Sequence, residues 1–189
     1  MTATRRENFS EATGELLFDV TTLGERARQS ISKGPLADAD RADLSRLFEV
    51  LNLALAIELS SVLHHKRHFF AAEALNAEVA ANEFLELAVD ESEHAERIAA
   101  RILQLGGEPD FNLDGLTGQG QSQFDSSVDL ESMIREDLAA ERAAVAVYRE
   151  IVNWVGDDDP ISRRMLQEIV SAEEEHAEDI LDLFSGAFT

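Results

Sequence analysis

The sequence predicts an all-α protein, a four-helix bundle with one long crossover connection and an extra N-terminal helix. Three observations carry this. Apolar residues recur at helical spacing through five segments, while strand-like alternation is nearly absent. The connections among the last four segments run short, long, short. Finally, each of those four apolar stripes is interrupted near its middle by a glutamate, the residue least suited to a dry core unless something pairs with it.

The first amphipathic segment runs from about Phe9 to Ser32, with Leu16, Leu17, Val20 and Leu23 on one side, and Lys33-Gly-Pro-Leu stops it. Residues 1–37 form an N-terminal helical extension and residues 38–189 the bundle domain. Asp38 or Asp40 can cap the next helix, expected to about Ala72. Its stripe reads Leu44, Leu47, Phe48, Leu51, Leu55, Glu58, Val62, His65, Phe69. A helix from about Asn76 to Leu105 follows, with Phe84, Leu87, Ala88, Glu91, His94, Ala95, Ile98 and Ile102, and Gly106-Gly107 ends it. From Gly106 to Ser127 the chain is rich in Gly, Gln, Ser and Asp and has no period. The fourth helix, about Val128 to Val155, shows Leu130, Ile134, Leu138, Glu141, Val145, Tyr148 and Val152. Gly156-Asp-Asp-Asp-Pro160 is a turn, with Pro160 suited to a first helical position. The fifth helix, about Ile161 to Phe184, shows Met165, Ile169, Glu173, His176, Ile180 and Phe184. Short turns make the second and third, and the fourth and fifth, antiparallel hairpins. A helix of ~30 residues is ~45 Å long, and a connection of about 22 extended residues reaches ~70 Å, so the central connection can traverse the bundle.

Bulk properties narrow the function classes. A chain of 189 residues with 44% hydrophobic content suits one domain with a substantial core. With no cysteine, disulfides, thiolate metal sites and thiol nucleophiles are excluded together. The first residues lack an apolar secretory segment and no unbroken apolar run reaches membrane-spanning length, so a cytoplasmic protein without a membrane partner is expected. A formal charge of −22 disfavours binding to nucleic acid or anionic lipid. Lys33 and Lys66 are the only lysines. That acid-rich, lysine-poor balance suits either life in high salt or an acidic metal-storing protein from a GC-rich genome.

The in-stripe acids fall into a duplicated pattern. Glu58 is followed 33 residues later by Glu91-Ser-Glu-His94, and Glu141 is followed 32 residues later by Glu173-Glu-Glu-His176. Helical phase turns all six inward, whereas Glu93, Glu96, Glu174, Glu175 and Glu178 belong to solvated faces. Four carboxylates and two neutral imidazoles carry four negative charges, which two divalent cations balance; one cation would leave two buried charges uncompensated. Oxygen and imidazole donors without sulfur suit iron or manganese better than copper or structural zinc. By position Glu58 and Glu141 are terminal ligands, Glu91 and Glu173 bridge, and His94 and His176 complete one metal each.

Other residues carry weaker expectations. Asp137, one turn before Glu141, can accept a hydrogen bond from a ligand histidine. Tyr148 and His65 are candidates for relay, support of the ligands or core packing. His64 and His68 stand at i, i+4, a spacing that can bind metal, but no third ligand is evident and a surface position is expected. Trp154 is expected to pack, although a tryptophan near a di-iron centre can donate electrons.

These residues resemble a bacterioferritin-type member of the ferritin-like superfamily. The likeness covers about Leu51 to Phe184. It rests on Leu51-Asn-Leu-Ala-Leu-Ala-Ile-Glu58-Leu, Asp90-Glu-Ser-Glu-His94-Ala-Glu-Arg-Ile, Met133-Ile-Arg-Glu-Asp-Leu-Ala-Ala-Glu141 and Glu173-Glu-Glu-His176. The resemblance implies a ferroxidase centre at Glu58, Glu91, His94, Glu141, Glu173 and His176. It would take two Fe ions per chain, with Mn or Zn as substitutes. It further implies Fe(II) and dioxygen or hydrogen peroxide as reactants, and iron storage and detoxification in a homo-oligomeric cage.

Three departures qualify it. Ser92 stands where bacterioferritins place a haem-ligating methionine, so haem is not expected. His65 replaces a family tyrosine. Only 13 residues follow His176, too few for the short fifth helix of 24-subunit cages. An added N-terminal helix without that C-terminal one is more like the Dps-like dodecamers that keep a bacterioferritin-type site, so a dodecamer is favoured, although their cysteine pair is missing. The alternative is a di-iron or di-manganese peroxidase or catalase-like enzyme of rubrerythrin type, without storage.

Overall fold

The structure, a computed structural model, describes residues 41–112 and 129–188. Four helices account for nearly all of them: α1 (Arg41–Ala74), α2 (Glu78–Gln104), α3 (Leu130–Val155) and α4 (Pro160–Phe188). There is no strand among the described residues. The fold is therefore all-α, as the stripes predict. The segment Phe9–Ser32, the caps Asp38 and Asp40 and most of the central connection lie outside the described residues.

Local chemistry sets the helix ends. Asp129 caps α3 by accepting from the Ser132 backbone N–H at 2.9 Å. Pro160 opens α4 at a position whose N–H has no helical partner to lose. Asp159, just before it, accepts from the Ser162 N–H at 3.3 Å. Between α1 and α2 the chain reverses at Asn76, φ 57°, the left-handed region that asparagine tolerates better than most residues. After α2, Gly106 adopts φ 86°. At Gly107 a Cβ would stand 2.7 Å from the Phe48 ring, so any side chain here would have to displace that ring from its place on α1.

The bundle consists of hairpins α1–α2 and α3–α4, with α1 also packed on α3 and α2 on α4. One end of the core is built from Ala72, Ala81, Phe84, Leu87, Met133, Ile134 and Ile180. Toward the other end Leu51, Leu55, Ile98, Ile102, Leu166 and Ile169 are fully buried. At ~1.5–3 kcal/mol for each large apolar side chain buried, these layers dominate the stability of the bundle. They also clamp the polar middle between them. At the second end Arg101 of α2, buried, donates to Asp159 at 2.8 Å and from Nε to Ser162 Oγ at 2.8 Å. That buried pair ties α2 to the start of α4. Helix α1, from Leu44 to Ala74, is long and apolar enough by length and composition to cross a membrane. Its buried face, however, carries Glu58, His64, His65 and His68, each engaged by another helix.

Candidate metal centre

Each helix delivers one glutamate to the middle of the bundle, and α2 and α4 each add the histidine one turn on. Glu58, Glu91 and Glu173 are 1% exposed and Glu141 is 2%. His94 Nδ1 stands 3.3 Å from Glu58, 3.1 Å from Glu91 and 3.3 Å from Glu173, carboxylates from three different helices. His176 Nδ1 stands 3.5 Å from Glu91 and 4.0 Å from Glu173. The donors sort into two groups, each drawn within 4.8 Å: Glu58, Glu91, His94, Glu173 and Glu91, Glu141, Glu173, His176. Glu91 and Glu173 belong to both. Two donors each about 2.1 Å from one ion stand roughly 3.0–3.5 Å apart, so this spacing fits a shared cation.

Electrostatics point the same way. Burial pushes the Glu58 carboxyl well up from its ordinary range, with Glu91 and Glu173 adding repulsion. Burial likewise raises Glu173 to about 8, with His94 opposing and Glu91 and Glu141 adding to the rise. Burial works against charge on His94, yet the carboxylates of Glu173, Glu58 and Glu91 beside it raise it to about 12. His176 is raised against the same penalty, chiefly by Glu91. Burial also works against Glu91, but Glu58, His176, His65 and His94 hold it well below the usual carboxylate range. Protons thus stand in for missing positive charge. Glu58 Oε2, Glu91 Oε1, Glu173 Oε1 and His176 Nδ1 make no hydrogen bond although buried. Buried polar atoms are rarely left so; cations would satisfy them.

Neighbouring side chains hold the acids in place. The Tyr148 hydroxyl, fully buried, donates to Glu58. His65 Nε2 lies 3.1 Å from Glu141 and 3.8 Å from Glu91, and its Nδ1 lies 3.7 Å from Asp137. Asp137 does engage histidines, but those of α1 (His64, His65, His68) and not His94 or His176. His64 and His68, expected at the surface, are buried at 6% and 0% exposure. The reason is that α1 contacts both α2 and α3, so its buried arc is wider than one stripe. Trp154 is half exposed and lines an apolar groove with Val50, Leu53, Val147 and Ile151.

A cleft of about 200 Å³ between α2 and α4 leads to His94 and His176. Asp90, Glu93, Glu175 and Asp179 line it, with Arg97 the one arginine or lysine among its lining residues. His176 turns Nε2 toward Asp90 at 3.5 Å. This is an acidic approach to a buried carboxylate–histidine cluster.

Comparison with known proteins bears on the family and the fold. The ferritin-like domain family matches residues 48–186, nearly the whole described bundle. The chain belongs to the ferritin-like family. It is 30% identical over 137 residues to the bacterioferritin of Rhodobacter capsulatus, covering 71% of this chain and 80% of that one. It is 26% identical over 154 residues to the DNA protection during starvation protein of Pyrococcus furiosus, covering 80% and 83%. The solved R. capsulatus bacterioferritin, which has a metal-free dinuclear site and a haem iron, matches with a TM-score of 0.66 at 28% identity, covering 75% and 84%. The dodecameric thioferritin of Bacteroides fragilis, a bacterioferritin-related protein, matches at 0.69 and 27% identity, covering 76% and 87%. This ferritin-like chain thus shares its fold with bacterioferritin and Dps-like relatives alike.

Proposed function

We propose that this ferritin-like chain is a ferroxidase that oxidises Fe(II) at a dinuclear centre and stores the product in a homo-oligomeric cage, with a dodecamer favoured. The observation that carries the reading is the pair of overlapping donor groups sharing Glu91 and Glu173. Two substrate Fe(II) ions would be held by Glu58, Glu91, His94 and Glu173 on one side and by Glu91, Glu141, Glu173 and His176 on the other. Glu91 and Glu173, common to both donor groups, would be shared by the two ions, while Glu58 and Glu141 would each serve one. Four carboxylates against two divalent cations leave the core neutral, which removes the penalty that burial imposes.

Oxidation takes one electron from each iron. With hydrogen peroxide as acceptor, two Fe(II), one peroxide and two protons give two Fe(III) and two waters. The added charge of Fe(III) is stabilised by the same four carboxylates, held in place before the reaction. The acidic cleft concentrates cations at His94 and His176. The Tyr148 hydroxyl orients Glu58, and His65 orients Glu141. Ser92 offers no thioether, so the reading includes no haem.

Aerobic addition of Fe(II) to the purified protein, with iron counted per particle and particle mass measured, tests this. Retention well beyond two irons per chain in a shell of many subunits is the expected result. A dimer or monomer that consumes peroxide and keeps no more than two irons per chain would replace storage by a peroxidase or catalase-like activity.

A further inference from the structure

The i, i+4 pair His64 and His68 lacked a third partner in the sequence, and the fold brings one from a different helix. On α1 the two imidazoles face the same way, with ring centroids 4.3 Å apart. Across from them α3 presents Glu136 and Asp137. One donor atom from each of His64, His68 and Glu136 lies within 4.8 Å of the others, and His68 Nε2 is 3.6 Å from Glu136 Oε2. We propose that His64, His68 and Glu136 form a separate mononuclear metal site between α1 and α3, taking a divalent transition cation of the zinc or ferrous class.

Asp137 supplies the backing such a site needs. Both its oxygens lie 3.0 Å from His68 Nδ1, and Oδ1 lies 2.5 Å from His64 Nε2. Bonding one ring nitrogen of an imidazole to a carboxylate fixes the tautomer and makes the other nitrogen a better metal donor. For His68 that other nitrogen is Nε2, on the Glu136 side. The His68 side chain is fully buried against the Phe84 ring, 5.4 Å centroid to centroid, and Nε2 makes no hydrogen bond. Glu136 Oε1 makes none either. Two imidazoles and one carboxylate, with no sulfur, form a donor set used for zinc with an open fourth position and for non-haem Fe(II). Glu136 and Asp137 together balance a 2+ charge.

None of these four residues belongs to the dinuclear donor groups, so the inference does not rest on that reading. His65 joins the two places, with Nδ1 toward Asp137 and Nε2 toward Glu141. A cation at His64 and His68 would therefore sit two side chains away from a terminal carboxylate of the centre.

Zinc provides a redox-inert probe. The full-length protein is titrated with Zn(II) against a competing chelator, beside Glu136→Gln, a near-isosteric change at a partly exposed residue. Glu136→Gln should bind one zinc fewer per chain than the parent, whatever the parent's total. A His94→Ala/His176→Ala protein should keep one tight zinc that Glu136→Gln then removes. Crystals soaked in zinc should show anomalous density between His64, His68 and Glu136. Equal zinc counts in parent and Glu136→Gln proteins, or no density at that point, overturn the proposal. Loss of zinc from the dinuclear groups alone would count against the ferroxidase reading instead.

Discussion

In the α1–α2 hairpin, His94 points Nδ1 at three carboxylates, all within 3.3 Å, and Glu58 is held by the neutral hydroxyl of Tyr148. The α3–α4 hairpin repeats the same donors with looser spacing. His176 stands 3.5 and 4.0 Å from its nearest carboxylates and shares its other nitrogen with Asp90 in the cleft. Glu141 is held by His65, whose imidazole is raised well above its ordinary range despite its burial, by Asp137, Glu141 and Glu91. One half therefore rests on a neutral support and the other on a cationic one. A positive charge beside Glu141 opposes a second positive charge, so if both donor groups take a cation the two positions should be unequal. The His94 position should fill first and hold tighter, and the His176 position, with its looser carboxylate spacing, should exchange faster.

The largest expected effect comes from erasing what the halves share. Glu91→Ala should lower the rate of Fe(II) oxidation by more than about 100-fold in stopped-flow absorbance, because losing even a partner of a ligand costs 10–100-fold. A rate within tenfold of the parent would contradict a bridging role. Next, His94→Ala and His176→Ala should separate the halves. Calorimetric titration of the first should lose the tightest zinc, whereas the second should keep it and lose a weaker one. Identical titrations would mean that the positions are equivalent.

A pH series sharpens the same contrast. Glu173 is raised from 4.5 to about 8, so its folded form holds the proton more firmly. The stability this contributes is complete below about pH 4.5 and is lost as pH rises through about 8. His94, raised from 6.5 to about 12, acts in the same sense, complete below 6.5 and lost as pH rises through 12. The Tm of the metal-free protein should therefore fall between about pH 5 and about pH 9, and zinc loading should suppress that fall, since metal takes the place of the protons. A metal-free Tm that rises over this range would refute the assignment of the protons. The smallest effects belong to the supports. Tyr148→Phe and His65→Gln should each slow oxidation by about 10-fold, with His65→Gln acting on the second metal and Tyr148→Phe on the first.

Much of this was legible in the residues. A glutamate in line with Leu51 and Leu55 on α1, or with Ile134 and Val145 on α3, can only face inward, and the duplicated spacing brought six such groups to one level. What escaped depended on which helices meet. The single stripe drawn on α1 covers too narrow an arc of its buried surface, so the sequence places His64 and His68 at the surface although both are buried. On α4 the stripe was drawn through Met165, which is only half buried, whereas its neighbour Leu166 is fully buried. The Arg101–Asp159 pair has no counterpart in the sequence reading, because nothing local marks which ion pair a bundle end will enclose. Asp137 was seen as an acceptor for histidine, but its partners come from α1, a pairing that exists only once α1 and α3 are side by side.

The two donor groups have a mechanical consequence. The first takes Glu58, Glu91 and His94 from one hairpin and Glu173 from the other; the second takes Glu141, Glu173 and His176 from one and Glu91 from the other. Neither hairpin holds a complete donor group alone. Each ion would act as a rivet across the seam between the halves, working with the Arg101–Asp159 pair at the end of the bundle. Metal loading would then cross-link two pieces of chain, much as a disulfide does in proteins that, unlike this one, have cysteine to spare.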